Sequence, residues 1–486
     1  MRDMVLILNY DSGSSRAIAR ALRAEMIYCK IVPPTISREQ VESQQPLGLI
    51  LAGSVGGDIP VGLDSRLLDG AWPVLALGSA AAMLCGTLGG SAEAFAMQEG
   101  IGAVTFTPSP LTQEMDRCER MLRGIRRLHL PPGSQVLAES QGETVGFALD
   151  ALPLYGIQFS LEPNDTDGMR LLLNFALNIC GCTRWWSFDI YIERTVAELQ
   201  RLAGENGRAV CAVTGGLNSG VAAVLAHRAL GNRLQCVFID TGLMREDEGS
   251  QVLAYYRDQL GLNVHYVQAG ERFLKALEGI ADPTAKRRMV HGTLQAILDE
   301  TLSSLGEFSM ILRSTTASDL MRGLDASKRP GLRGNAAMVE PLRELFKDEI
   351  RRVAERLDMP EHIVQRPTFP GSGLALRVLG AVTPERLQTI RSADRIFSQE
   401  VRDSGLDKRM PQHFAVLSPM PGETDKAVIV LRAVQASDTA AKAYAARMPY
   451  DLLERVTERI LDELPEVVRV VYDLSPSTHH SGVEWQ

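Results

Sequence analysis

The chain predicts an α/β protein: two successive parallel-sheet α/β domains followed by a small C-terminal α+β unit. Three observations carry that prediction. Short apolar runs alternate with helical segments near the N-terminus, the alternation begins afresh at Ala209, and the last stretch holds three β-rich runs and one amphipathic helix. At 486 residues the chain is also too long for one hydrophobic core, and roughly 150 residues per domain gives about three.

Met4–Asn9 (M-V-L-I-L-N) reads as a buried strand and Ser14–Glu25 as a helix with alanine, isoleucine and leucine on one side. Tyr28–Val32, Leu47–Ala52 and Val74–Leu77 are further strands. Such alternation predicts a parallel sheet covered on both faces, which binds ligands at the carboxyl ends of its strands. Ile190–Glu205 is an amphipathic helix whose apolar spacing says that it packs on a core.

Arg208–Gly220 follows, as R-A-V-C-A-V-T-G-G-L-N-S-G. Ala209–Val213 is a short strand, Gly215-Gly216 a tight turn, and the alanine-rich segment behind it, Val221–Leu230, a helix. Strand, glycine turn and helix N-terminus together make an anion site, because free backbone N–H groups and the positive end of the helix dipole point at whatever sits there. Small residues let that backbone close on a phosphate. An ordinary strand-to-helix turn has the same outline. Gln235–Gly242 is a strand ending in Asp240, an acid placed to touch ribose, to hold a phosphate-bound metal, or to cap the next helix. Val339–Arg351 reads as a helix with leucine, phenylalanine and isoleucine on one face. Phe414–Leu417, Ala427–Val434 and Val467–Asp473 are strands, with the helix Tyr450–Leu464 between the last two.

Composition excludes several classes. Hydrophobic content of 45% with 23% charged is that of an ordinary globular protein. A net charge of −8 argues against bulk nucleic-acid binding, and the basic cluster Arg343–Arg352 is interleaved with acids. The seven cysteines are scattered, and Cys180 and Cys182 lack the two-residue gap of zinc or redox sites, so structural thiols are expected. No run has signal-peptide form or reaches the ~20 apolar residues of a membrane helix, so no membrane partner and a cytoplasmic location are expected. His479 and His480, adjacent near the terminus, read as incidental rather than as metal ligands.

Thr214–Ser219 (T-G-G-L-N-S) resembles the pyrophosphate-binding S-G-G-x-D-S loop of the ATP pyrophosphatases. That resemblance implies ATP with Mg2+ held by Thr214, Gly215, Gly216, Asn218, Ser219 and Asp240, with the metal weakened by Asn218 standing for the family's aspartate. Pro73–Gly90 (P-V-L-A-L-G-S-A-A-A-M-L-C-G-T-L-G-G) resembles the elbow of the class I glutamine amidotransferases, P-V-L-G-I-C-Y-G-M-Q with L-G-G beyond it. Gly78 occupies the cysteine's position, and a glycine has no atom that forms a glutamyl thioester. Leu154–Glu162 (L-Y-G-I-Q-F-S-L-E) resembles Y-G-V-Q-F-H-P-E, with Ser160 at the histidine and Glu162 retained. Leu51–Val55 (L-A-G-S-V) departs from the S-G-G-P of the oxyanion loop.

Asn174–Cys182, N-F-A-L-N-I-C-G-C, followed by tryptophan, resembles the end of that domain in GMP synthetases, and the resemblance runs nearly to the C-terminus, implying a helix over Gly242–Val252 on the way. It implies an amidotransferase-like domain at 1–183, an ATP-pyrophosphatase domain at 190–365 and a dimerisation domain at 366–486, hence a homodimer. Val339–Arg351 (V-E-P-L-R-E-L-F-K-D-E-I-R) and Phe369–Gly380 (F-P-G-S-G-L-A-L-R-V-L-G) match closely. They imply an acceptor nucleotide, a purine, near Lys347, Asp348 and Arg377, joined by Arg432 and by Glu484 of the C-terminal V-E-W-Q. Ile311–Asp319 (I-L-R-S-T-T-A-S-D) keeps Thr315 and Asp319 of L-A-Q-G-T-x-Y-P-D, the loop S-H-H-N-V-G-G-L-P has no counterpart in Leu324–Gly334, and the terminal lysine is lost.

Three functions stay open: a nucleotide-binding pseudoenzyme with a regulatory role, a diverged ATP-dependent ligase that adenylates another acceptor, and, ranked last, a GMP synthetase using free ammonia.

Overall fold

The computed structural model describes residues 3–95, 99–159, 165–321, 336–364, 371–410, 412–420, 422–423, 426–435 and 444–475. The chain divides into two compact units, Met1–Tyr191 and Ile192–Gln486.

In the first unit the strand Val5–Asn9 lies between Cys29–Val32 and Gly48–Ala52, and Val74–Leu77 and Leu154–Ile157 continue the sheet, all five strands parallel. The apolar runs of Val5–Asn9, Gly48–Ala52 and Val74–Leu77 are buried without alternation, as strands covered on both faces require. The helix Ser12–Ala24 starts where the Asp11 carboxylate accepts from the Ser14 N–H at 2.7 Å. The sheet then runs on beyond its parallel part through Glu143–Leu149, Ser134–Ser140, Gly100–Phe106 and Arg117–Leu122, all antiparallel, to nine strands. Arg117–Leu122 alternates exposed and buried residues, the pattern of a sheet with one wet face.

In the second unit five parallel strands stand in the order Val264–Gln268, Leu234–Asp240, Ala209–Val213, Met310–Leu312, Ala337–Val339. Ala209–Val213 is the first in sequence. The next two strands add on one side of it and the last two on the other, so the winding reverses at its edge with Met310–Leu312. Two expected helices are shorter than the sequence suggests. Residues 241–247 form a loop before the helix Glu248–Ala254, and Val339–Arg351 divides into the end of a strand, turns, and a helix starting only at Lys347. Pro341 interrupts the second, and the Phe346 N–H donates to Glu349 Oε2 at 2.9 Å to open the helix that follows.

The C-terminal sheet pairs Gln412–Pro419 antiparallel with Ala427–Gln435, which in turn takes Val467–Tyr472 in parallel and Tyr444–Ala445 antiparallel. The helices Pro384–Asp403 and Tyr450–Glu463 pack with it. Its core of Ile390, Phe397, Ile429, Leu431, Val456 and Ile460 is continuous with Phe273, Val290 and Ile239 of the larger sheet's layer. Among the described residues no helix is long and apolar enough to cross a membrane.

Candidate functional sites

The glycine loop sits at the reversal point of the second unit's sheet, where open α/β sheets present a crevice at their carboxyl edge. Gly215 has φ +75°, a conformation that L side chains rarely adopt, and the turn it permits leads directly into the helix Leu217–Leu230. Ser219, buried, knits the turn together: its Oγ accepts from the Thr214 N–H at 3.1 Å and donates to the Gly216 carbonyl at 3.0 Å. A Cβ on Gly216 would meet only Thr214 Oγ1, at 3.5 Å. The loop is therefore shaped from beneath and open above, with the helix's first-turn amides facing the crevice. That fits the phosphates of a nucleotide.

The register Val213↔Phe238 sets Asp240 at the same carboxyl edge. One of its oxygens, Oδ1, accepts from the Gly242 N–H at 2.9 Å, and the other, Oδ2, from the Tyr266 hydroxyl at 2.8 Å. Burial first, and then Asp240, pushes the Tyr266 phenol above its ordinary range, so it stays a donor. Asn218 occupies the helix's first turn and brings no charge. Among the described residues no three His, Cys, Asp or Glu side chains converge as a metal centre would need.

On the other flank, Thr315 Oγ1 donates to Glu340 Oε1 at 2.7 Å, and Asp319 Oδ2 accepts from the amide and hydroxyl of Thr316 at 2.9 and 2.7 Å. Lys347 and Asp348 are exposed at the start of the helix Lys347–Arg356, which packs on Leu217–Leu230. The strand leading to them lies two strands, roughly 10 Å, from the glycine-loop strand.

Arg377 and Arg432 are only 2% and 1% exposed. The Arg377 guanidinium lies 3.5 Å from the Phe414 ring centroid, and Arg432 Nη1 donates to the carbonyls of Asp473 and Ser475 at 3.1 and 2.6 Å. Both side chains are thus engaged by the C-terminal fold itself. Glu484 lies outside the described residues, as do Ser160 and Glu162.

Lys286 and the 241–247 loop carry contacts that the sequence pattern did not single out. Lys286 Nζ donates to the carbonyls of Ala375 and Val378 at 3.2 and 2.6 Å, and burial pushes its ammonium down to about 8, helped by Arg386. Arg391 donates to the carbonyls of Gly242 and Met244 at 2.8 and 3.1 Å, and Arg245 pairs with buried Asp394 at 3.3 Å. Neither connection has a local sequence signal, since each joins residues about 90 or more positions apart.

In the first unit Gly78 retains the elbow, with φ +61° ahead of the helix Ser79–Thr87. The neighbouring loop lies against it. Ser79 N–H donates to Ser54 O at 2.8 Å and Gly53 N–H to Leu77 O at 3.0 Å, while a Cβ at residue 78 would lie 2.6 Å from Ser54 O. Above this joint a Cβ on Gly124 would lie 2.0 Å from Gly56 Cα, and Arg126 Nη2 donates to Gly57 O at 3.3 Å. Cys85 is buried, its thiol directed at the carbonyls of Ser91 and His129 and pushed up by burial.

Family models match the chain from residue 191 onward, and relatives align over its whole length. The NAD synthase family model matches residues 191–378, and that of the GMP synthase C terminal domain matches 399–485. The glutamine-hydrolyzing GMP synthase of Nitratidesulfovibrio vulgaris (strain DP4) is 37% identical over 513 aligned residues, 99% of each chain. That of Clostridium perfringens (strain 13 / Type A) is 33% identical over 520, covering both chains fully, at 100%. The chain belongs to the GMP synthase family. Within that family it carries glycine at the elbow, where a hydrolase that forms a thioester needs a thiol, and asparagine in the glycine loop.

Proposed function

We propose that this member of the GMP synthase family is a cytoplasmic nucleotide-binding protein whose glutaminase half is inert. The observation that carries the reading is the closed elbow: Ser54 O takes the amide of Ser79, and the position that would bear a nucleophile has neither an atom nor room for one. The amide after a nucleophile is the sort of donor that stabilises an oxyanion, and here it is already spent on a carbonyl. In this reading the protein forms homodimers through its C-terminal domain, residues 366–486, and holds a purine nucleotide at the glycine loop of an ATP-pyrophosphatase domain at 190–365. Purified protein incubated with glutamine is expected to release no glutamate, and with ATP, Mg2+ and xanthosine monophosphate no pyrophosphate. Glutamate release overturns the reading.

A second reading is favoured by the glycine loop itself, still shaped by Ser219 and open above Gly216: a ligase that adenylates another acceptor and takes ammonia or an amine. Pyrophosphate release from ATP with a panel of carbonyl-bearing metabolites supports it, and absence of ATP binding eliminates it.

A further inference from the structure

The Asp240 carboxylate is held from two sides by neutral donors. Oδ1 takes the Gly242 amide and Oδ2 the Tyr266 hydroxyl, at 2.9 and 2.8 Å. Tyr266 is itself fixed: its strand pairs Tyr266 with Phe238, and the two rings stack at 5.7 Å with 22° between their planes. Behind the carboxylate the chain comes very close, since a Cβ on Gly249 would lie 2.9 Å from Oδ2. Such a carboxylate is a poor seat for Mg2+, which keeps several waters and needs room for an octahedral shell. It suits a single small donor instead, because each oxygen retains one acceptor direction and the group cannot turn. At the carboxyl end of the strand beside an anion loop, the donor that arrives with a nucleotide's phosphates is a ribose hydroxyl.

We infer that Tyr266 is a positioning residue that orients Asp240 to accept a ribose hydroxyl, so that the crevice selects nucleotides with an intact sugar diol. The inference rests on the proposed nucleotide site. With Phe at 266 the ring stack remains while the hydroxyl is lost, and Asp240 is free to rotate.

The test is calorimetric titration of the full-length protein with ATP and with 2′,3′-dideoxy-ATP. Wild type is expected to prefer ATP at least tenfold. Tyr266→Phe should bring the ratio below threefold while leaving affinity for the dideoxy analogue unchanged, a separation that general loosening of the fold does not produce. Asp240→Asn, which keeps the shape, should narrow the ratio likewise and serves where the Phe variant melts early. Binding of ATP without preference, or a full preference surviving in both variants, overturns the inference and leaves the nucleotide site standing. Absence of binding by either nucleotide overturns both.

Discussion

The amide of Ser79 donates to the carbonyl of Ser54 at 2.8 Å, and with that one bond the elbow of the first unit becomes a joint between a loop and a helix. The bond occupies the helix's leading N–H and brings two carbonyls within 3 Å of where a side chain on residue 78 would begin, Ser54 O at 2.6 Å and Gly53 O at 2.8 Å.

Gly78→Cys, alone or with Ser160→His, is therefore expected to release no glutamate from glutamine. The variant is also expected to be less stable by about 2–4 kcal/mol, from a non-glycine residue at positive φ together with overpacking against backbone. Urea unfolding measures the second expectation and a coupled glutamate assay the first. Glutaminase activity in either variant would mean that the 53–57 loop opens readily.

Much of this architecture is legible in the sequence, for reasons that differ from element to element. The strands Val74–Leu77 and Leu234–Asp240 announce themselves because buried parallel strands are continuous apolar runs, and Asp240 ends its strand where the apolar run ends. The antiparallel extension is harder to see, since Gly100–Phe106 and Ser134–Ser140 mix polar and small residues in strands with one wet face. Val339–Arg351 misleads because its leucines and phenylalanine fall at helical spacing although Leu342, Leu345 and Phe346 are buried from a turn and the irregular stretch after it. Register is invisible to composition: nothing local says that Tyr266 stands beside Phe238 and so reaches Asp240, nor that Ser54 meets Ser79.

Lys286 predicts a pH dependence. Burial disfavours the ammonium and pushes it from its ordinary 10.5 down to about 8. Between those values the unfolded chain binds more protons than the folded one, so stability attributable to this group rises as pH climbs from 8 to 10.5 and is lowest below 8. The rise is on the order of 3 kcal/mol. Urea melts of wild type and Lys286→Met across this window are expected to show the excess slope in wild type alone. At pH 7 the variant loses two buried hydrogen bonds to the carbonyls of Ala375 and Val378, so its net effect there is the smaller difference of two opposed contributions.

Asp394 is 2% exposed, accepts from the Ala415 amide at 3.1 Å and pairs with Arg245 at 3.3 Å. Removing the buried carboxylate takes from Arg245 one charge partner and from the Ala415 amide its acceptor, at a cost of about 3–5 kcal/mol. Asp394→Ala is expected to lower stability by that amount and to raise hydrogen exchange of the amides of residues 242–247 selectively. Arg391→Ala, which removes donors to Gly242 and Met244 from a more exposed position, is expected to raise the same exchange with a smaller stability loss. Unchanged exchange in both variants would show that the loop needs no help from the helix Pro384–Asp403.

Two substitutions in the glycine loop separate phosphate binding from metal binding. Gly216 is exposed and its Cβ space is clear except for Thr214 Oγ1, so Gly216→Asp is expected to fold as wild type does. It places a negative charge among the amides that would hold phosphate, and ATP affinity is expected to fall at least 100-fold, about 2.7 kcal/mol. Asn218→Asp puts a carboxylate on the helix's first turn, where the dipole favours it by about 0.3–1 kcal/mol. Without magnesium that charge repels the nucleotide's phosphates, whereas with magnesium it supplies an oxygen ligand. The variant is therefore expected to bind ATP more weakly than wild type in the presence of a chelator and more tightly with millimolar Mg2+. Calorimetry under the two conditions checks the crossing, and equal affinities in both would place residue 218 away from the phosphates.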